Sequence, residues 1–589
     1  MLHAAIDRIR RVATCRTGNT ETIDTETLLA AATELRDTLR TLPLSIDLPG
    51  ADEARTQSAS AVQQLEDYVL PRLRNLDAPV LAVVGGSTGA GKSMLVNSLV
   101  GDEVSRSGVL RPTTRSPVLV HHPDAQRWFA DDRILPGLAR VRGGSSEASD
   151  HVELVARDTV PETLALVDAP DIDSVVDANR AVAAQLLDAA DLWLFVTTAA
   201  RYADAVPWEF LRRAVARGVG IGLVLNRVPP GAAAEIGPHL EEMLRTEGLG
   251  TAPTFTIEEQ PQSDGLLPAH AVRPIKAWIG SLAADQHARA ELVRRTLVGT
   301  IGELAVRSER VAVSVEYQAE MLSWLGERAR DAFDRAVWHI AVDVRDGTVM
   351  RGEVLARWQD VVGTGELLRS LQSSIGRLRD RVTSAITRRP RNAERFQGAV
   401  TSGVETMVLE RVAQATDDAV GQWRSQHSGA ALIAEQAGDG VDLTRPSPDL
   451  PERTQRMVRD WQAGLMDLLR RESSGKQVSA KVLSYGVNGV ALVLMVGVFA
   501  QTGGLTGAEV AIAGGSSAVG QKLVEALLGD QAVRRLTADA RSDLECRVDA
   551  LIDAEAARFD AALTDHQPSD HAERLRQLSA RLRDGIVQQ

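Results

Sequence analysis

The chemistry of this chain is concentrated in nine residues, GGSTGAGKS at 85–93, which hold the spacing Gly86-x-x-x-x-Gly91-Lys92-Ser93. An apolar run precedes them and the helix-compatible MLVNSLVG follows. In that setting the glycines let successive backbone N–H groups curl around a phosphate. The lysine reaches the β and γ phosphates of a nucleotide, and the hydroxyl after it ligates Mg²⁺. The stretch predicts a nucleotide-phosphate site made by Gly86, Ser87, Thr88, Gly89, Ala90, Gly91, Lys92, Ser93 and Met94, with Ser93 on the metal. The competing reading is a glycine-rich turn with an incidental Lys-Ser, and the flanking strand and helix patterns speak against it.

Two further segments supply candidates. VLRPTTRSP carries Thr113 and Thr114, which read either as hydroxyls that complete a Mg²⁺ shell and sense a γ phosphate or as a polar loop between two prolines. LVDAPDIDS ends an apolar run with Asp168, which holds Mg²⁺ through water if it acts as a Walker B aspartate and is otherwise a helix cap. Thr88, Asp171 and Asp173 are the candidates for positioning an attacking water.

These residues need a rigid frame. PVLAVVGG (79–86), LALVD (164–168), LWLFVTT (192–198) and VGIGLVLN (219–226) are continuous apolar runs of the length of strands buried on both faces of a parallel sheet. They predict an α/β domain over 77–282, mostly parallel, with helices on both faces. The first 76 residues read as helices (25–42 and 55–76) that pack with a helical bundle. From 283 to 481 the apolar period is helical, with a polar Gly/Pro/Ser-rich linker near 425–453. Residues 482–528 read as a hydrophobic hairpin and 529–589 as one returning helix.

The 589-residue chain is 44% hydrophobic, enough for more than one core. Its two cysteines, Cys15 and Cys546, build neither a disulfide framework nor a cysteine metal cluster, which suits a reducing compartment, and its start lacks the apolar region of a secretory signal. A net charge of −13 argues against nucleic acid as a partner.

In this order, GKSMLVNSLVGDEV, RPTT, VDAPDID and LNR resemble the dynamin superfamily of large GTPases, most closely the bacterial dynamin-like proteins of actinobacterial type. The resemblance covers about 200 residues and is carried mainly by the first two motifs. It implies a GTP- and Mg²⁺-dependent GTPase that self-assembles, as a homo-oligomer or with a paralogue, and remodels membranes. It makes Lys92 and Ser93 the phosphate and Mg²⁺ ligands, Thr113 or Thr114 the switch I threonine, Asp168 the switch II aspartate, and Asn226 with Arg227 the base loop.

The chain departs from that pattern at four places. Thr88-Gly89 replaces a Gln-Ser pair in the phosphate loop. Asp171 stands at the glycine of D-x-x-G, where a carboxylate near a γ phosphate is repelled unless it turns away or meets a cation. Ile172 leaves no glutamine there to position water. The N/T-K-x-D motif reads Asn226-Arg227-Val228-Pro229, so guanine loses its usual carboxylate and ATP becomes a competitor of GTP, unless a residue such as Asp264 fills the place.

Residues 482–500, VLSYGVNGVALVLMVGVFA, are nineteen residues without a charge, close to the roughly twenty that a bilayer core takes. Only five lysines occur among 66 Lys and Arg, and Lys476, Lys481 and Lys522 border this region, as expected for a hairpin whose ends lie beside anionic lipid headgroups on the cytoplasmic side of the cell membrane. The other reading is a glycine-containing core helix. Two function classes compete with the membrane GTPase: a nucleotide-binding membrane scaffold with little or no hydrolysis, and a soluble P-loop ATPase that acts on proteins.

Overall fold

The four apolar runs form the centre of one eight-stranded sheet. In a computed structural model they are β1 (Val80–Gly86), β5 (Leu164–Asp168), β6 (Leu192–Thr198) and β7 (Gly220–Val228). The other strands are β2 (Val118–His121), β3 (Ala139–Val141), β4 (His151–Ala156) and β8 (Thr254–Glu258). The structure describes residues 25–106, 116–131, 133–141, 151–174, 176–260, 266–347, 349, 354, 390–472, 495, 498–499, 530–567 and 570–587.

The strand order is β3-β4-β2-β5-β1-β6-β7-β8, and among these pairs only β2 and β5 run antiparallel. Every residue of β1 and β5 is buried, which explains why their sequences run apolar without alternation. Successive residues feed opposite cores. Leu81, Val83, Ala165, Val167, Trp193 and Phe195 face one side, while Val80, Ala82, Val84, Leu164, Leu166 and Leu194 face the other and meet Leu95, Val96, Val272 and Ile275. β1 lies between β5 and β6, with Val84 beside Asp168 and Gly86 beside Val196, so the phosphate loop and Asp168 emerge together at one end of the sheet.

The chain divides into two compact units. The first is Met1–Leu44, Pro49–Tyr317 and Pro568–Gln589, and holds the sheet. Its helices Thr25–Arg40 and His571–Val587 pack through Leu28, Leu35, Leu575, Leu578 and Leu582, all buried in the core that backs the sheet. The second unit is Ser45–Leu48 and Gln318–Gln567. Its core gathers Phe333, Trp423 and Phe559 at ring distances of 5.7 and 5.2 Å, and the indole of Trp423 donates to the Leu325 carbonyl.

The returning segment from 529 is two helices, Asp530–Thr564 in the second unit and His571–Val587 in the first. The helix Gln286–Arg345 likewise contributes residues to both units.

Candidate functional site

The phosphate loop is shaped by close backbone approach. Gly86 has φ 152°, and a Cβ there would lie 2.0 Å from the Val196 carbonyl oxygen. Gly91 has φ 91°, and its Cβ would meet the Asn226 amide nitrogen at 2.5 Å. Only glycine fits either place. The helix Lys92–Val100 starts directly after Gly91, so its unpaired N–H groups face the loop and favour an anion.

Lys92 is buried and folded back over this loop. Its ammonium donates to the carbonyls of Gly86 at 3.0 Å and Ser87 at 3.2 Å, and to the Asp171 carboxylate, with which it forms an ion pair. Of the two outcomes open to Asp171, turning away or meeting a cation, the structure takes the second. Asp173 holds the next part of the loop. One of its oxygens accepts from the backbone N–H of Thr88 at 2.6 Å and from the Thr88 hydroxyl at 2.8 Å, and the other meets Arg201 at 2.6 Å. Burial pushes the Asp173 carboxyl up, but these Thr88 bonds and the Arg201 guanidinium outweigh it and hold the group below its ordinary value.

Asp168 is fully buried. One oxygen accepts from the Ser105 hydroxyl at 2.6 Å, and Ser105 is itself fixed by Asn97, whose carboxamide bonds its N–H and carbonyl. The other oxygen, Oδ1, is buried with no hydrogen-bond partner. Burial raises the Asp168 carboxyl above its ordinary value, against the pull of the Ser105 and Ser93 hydroxyls and the Lys92 charge. A carboxylate with a free buried oxygen beside a serine hydroxyl at a helix start fits a hydrated Mg²⁺, with Ser93 and Asp168 as its protein partners. Among the described residues no group of three or more His, Cys, Asp or Glu side chains could hold a metal ion.

At the end of β7, Asn226 is buried and donates to the Ala90 carbonyl at 2.8 Å, while its own oxygen accepts from the Arg227 N–H at 2.9 Å. Arg227 adopts φ 55°, unusual outside glycine, where the β7–β8 register shifts between Leu225 and Val228, and its side chain is exposed.

Residues 81–219, from the phosphate strand to the start of β7, match the model of the dynamin family. The match covers this segment and not the helical remainder of the chain. No curated protein matches the chain. Solved structures similar to it include a chain of an oligomerised bacterial dynamin pair described as a mechanism for long-range sensing and tethering of membranes, 9% identical, covering 99% of each chain at TM-score 0.39. A second chain from such a pair is 10% identical over 92% of this chain and 96% of its own, TM-score 0.35. The LeoA bacterial dynamin GTPase from ETEC is 12% identical over 96% and 100%, TM-score 0.23.

The sheet end therefore brings together Gly86 to Ser93, Asp168 and Asn226, with Arg227 at the rim. Thr113, Thr114 and Asp264 lie outside the described residues. Ser105, Asn97 and Arg201 were not legible as site residues. Arg201 stands three residues beyond β6, and its place at the same sheet end as the phosphate loop was the available signal.

Most of 482–528 also lies outside the described residues. Met495, Val498 and Phe499 are helical and buried in the second unit, where the Phe499 ring meets Trp461 at 6.0 Å and Arg541 donates to the Val498 carbonyl at 3.0 Å. Among the described residues no helix is long and apolar enough to cross a membrane.

Proposed function

We propose that this chain is a membrane-associated GTPase that couples Mg²⁺-dependent nucleotide binding and hydrolysis to self-assembly and membrane remodelling. The observation that carries the reading is the convergence of Lys92, Ser93 and Asp168 at one end of β1 and β5, with Asp168 Oδ1 buried and unpartnered. Loop N–H groups and Lys92 bind the phosphates and hold them in line. Ser93 and Asp168 would hold the metal, and Thr113 or Thr114 of the switch segment would add a hydroxyl ligand. Mg²⁺ when bound neutralises charge on the phosphates. Positioning and electrostatics then supply the catalysis.

Asn226 supports guanine nucleotide binding by fixing the base loop to Ala90, and Arg227 offers a guanidinium to stack on a purine. With Pro229 in place of an aspartate, base choice is weak, and GTP is preferred on family grounds. Met495, Val498 and Phe499 are buried in the second unit, so lipid docking falls to the rest of the charge-free stretch before them, and the lysines that flank it support anionic lipid at the cytoplasmic face of the cell membrane. Self-association, with a second copy or a paralogue, belongs to the same reading.

The Lys92–Asp171 pair favours a second reading, a nucleotide-binding scaffold with little turnover, because the lysine is already neutralised. Flotation of the full chain with anionic liposomes, without nucleotide, with GDP and with GTP, tests the proposal. Nucleotide-dependent recovery with lipid that disappears in Lys92→Ala supports it. Recovery indifferent to nucleotide supports the scaffold, and no recovery with lipid removes the membrane role.

A further inference from the structure

Resting on the nucleotide-binding reading, we propose that Ser105 is a positioning residue for Mg²⁺: its hydroxyl holds one oxygen of Asp168 and so leaves the other, Oδ1, for the metal. The Ser105 hydroxyl donates to Asp168 Oδ2 at 2.6 Å, and both residues are buried. A carboxylate turns readily about its terminal bond, so the oxygen that meets a metal has to be selected by a group outside it. Asp168 ends β5 between Val84 of β1 and Val118 of β2, which fixes its backbone from both sides. Ser105 fixes the remaining rotation.

Ser105 is held in turn by the helix that begins at the phosphate loop. Asn97 lies four residues after Ser93 in the helix Lys92–Val100, on the same face. The helix ends at Gly101, whose φ of 86° turns the chain back while its N–H donates to the Asn97 carbonyl at 2.7 Å. The Asn97 side chain then clamps the returning segment. Its oxygen accepts from the N–H groups of Val104 at 3.0 Å and Ser105 at 2.9 Å, and its nitrogen donates to the Ser105 carbonyl at 2.7 Å. One helix face thus serves both metal partners: it carries Ser93, and through Asn97 and Ser105 it orients Asp168.

Alanine at 105 would take the partner from Oδ2 and free the carboxylate to turn. If Ser105 only satisfied a buried oxygen, the loss would show in stability and would weaken nucleotide binding equally with and without Mg²⁺. A positioning role puts the loss in Mg²⁺ affinity, where the outer partners of metal-binding groups typically contribute 10–100-fold.

The test is the dissociation constant of a non-hydrolysable GTP analogue, measured by calorimetry on the full chain across free Mg²⁺ concentrations and in EDTA. Ser105→Ala and Ser105→Cys are compared with the unsubstituted chain, with a melting temperature for each. The Mg²⁺ midpoint is expected to rise by roughly tenfold in Ser105→Ala, with affinity in EDTA unchanged. Ser105→Cys, whose thiol donates weakly, is expected to lie between, and it reads the same quantity if the alanine variant does not fold. An unchanged midpoint in a folded variant overturns the inference, as does a loss of affinity that is equal with and without Mg²⁺. If the unsubstituted chain binds the analogue without any dependence on Mg²⁺, the inference fails while nucleotide binding stands. If it does not bind the analogue at all, the nucleotide-binding reading itself fails and the inference with it.

Discussion

The side-chain amide of Asn226 donates to the Ala90 carbonyl at 2.8 Å, so the end of β7 and the phosphate loop are one hydrogen-bonded body. Asn226→Ala removes that tie from a buried position. GTP and ATP affinity should then fall together, by about tenfold, as expected for a lost buried hydrogen bond. Pro229→Asp should act on base choice alone and raise the GTP-to-ATP affinity ratio by roughly tenfold or more. Competition titrations with both nucleotides read both effects, and an Asn226→Ala loss confined to one base would contradict the shared tie.

Asp191 and Arg72 form a buried ion pair with every strong partner supplied. Asp191 also accepts from the Tyr68 hydroxyl at 3.0 Å and the Leu81 N–H at 2.8 Å, and Arg72 donates to the Ala78 and Pro79 carbonyls at 2.8 Å. Asp191→Ala strands the guanidinium and should destabilise the sheet-bearing unit by about 3–5 kcal/mol. Urea unfolding of the full chain, followed by near-UV circular dichroism, checks this. A shift under about 1 kcal/mol would show that water or rearrangement compensates Arg72.

Asp173 sets a pH dependence. Its folded-state pKa is depressed, so the stability it contributes is present above the ordinary carboxylate value of about 4 and is lost as pH falls through the depressed value. The melting temperature of Asp173→Asn should lie below that of the unsubstituted chain by a constant margin from neutral pH to about pH 5, and the margin should close in more acid solution. A margin that instead narrows on going from pH 5 to pH 7 would contradict the sign.

Gly86 and Gly280 make a matched pair. Alanine at 86 drives a methyl into the Val196 carbonyl, whereas a Cβ at 280, within the helix Ala269–Ala284, meets nothing within 4 Å. Gly86→Ala should separate β1 from β6 at the loop and abolish nucleotide binding. Gly280→Ala should be neutral or stabilising by up to about 1 kcal/mol. Thermal unfolding with and without nucleotide distinguishes them, and normal binding by Gly86→Ala would contradict the close approach.

The four central strands were legible because burial on both faces makes their sequences continuously apolar. β3, β4 and β8 were not, since they lie at or near the sheet edges, partly exposed, and carry mixed residues. The phosphate loop announced itself through glycines whose backbone no other residue can adopt. Ser105 and Arg201 did not, because an ordinary serine and arginine become site residues only once the fold carries them to Asp168 and Thr88. The division between the units was hidden for a similar reason: the helical period runs unbroken through Tyr317 while the packing partners change.

The central claim is tested most directly by the initial rate of phosphate release from GTP by the full chain, with and without Mg²⁺ and anionic liposomes, beside Lys92→Ala. The account predicts release that needs Mg²⁺, rises on liposomes, and falls by at least about a hundredfold in Lys92→Ala. No release above that of Lys92→Ala, under conditions where GTP is bound, would contradict hydrolysis and leave a nucleotide-binding scaffold.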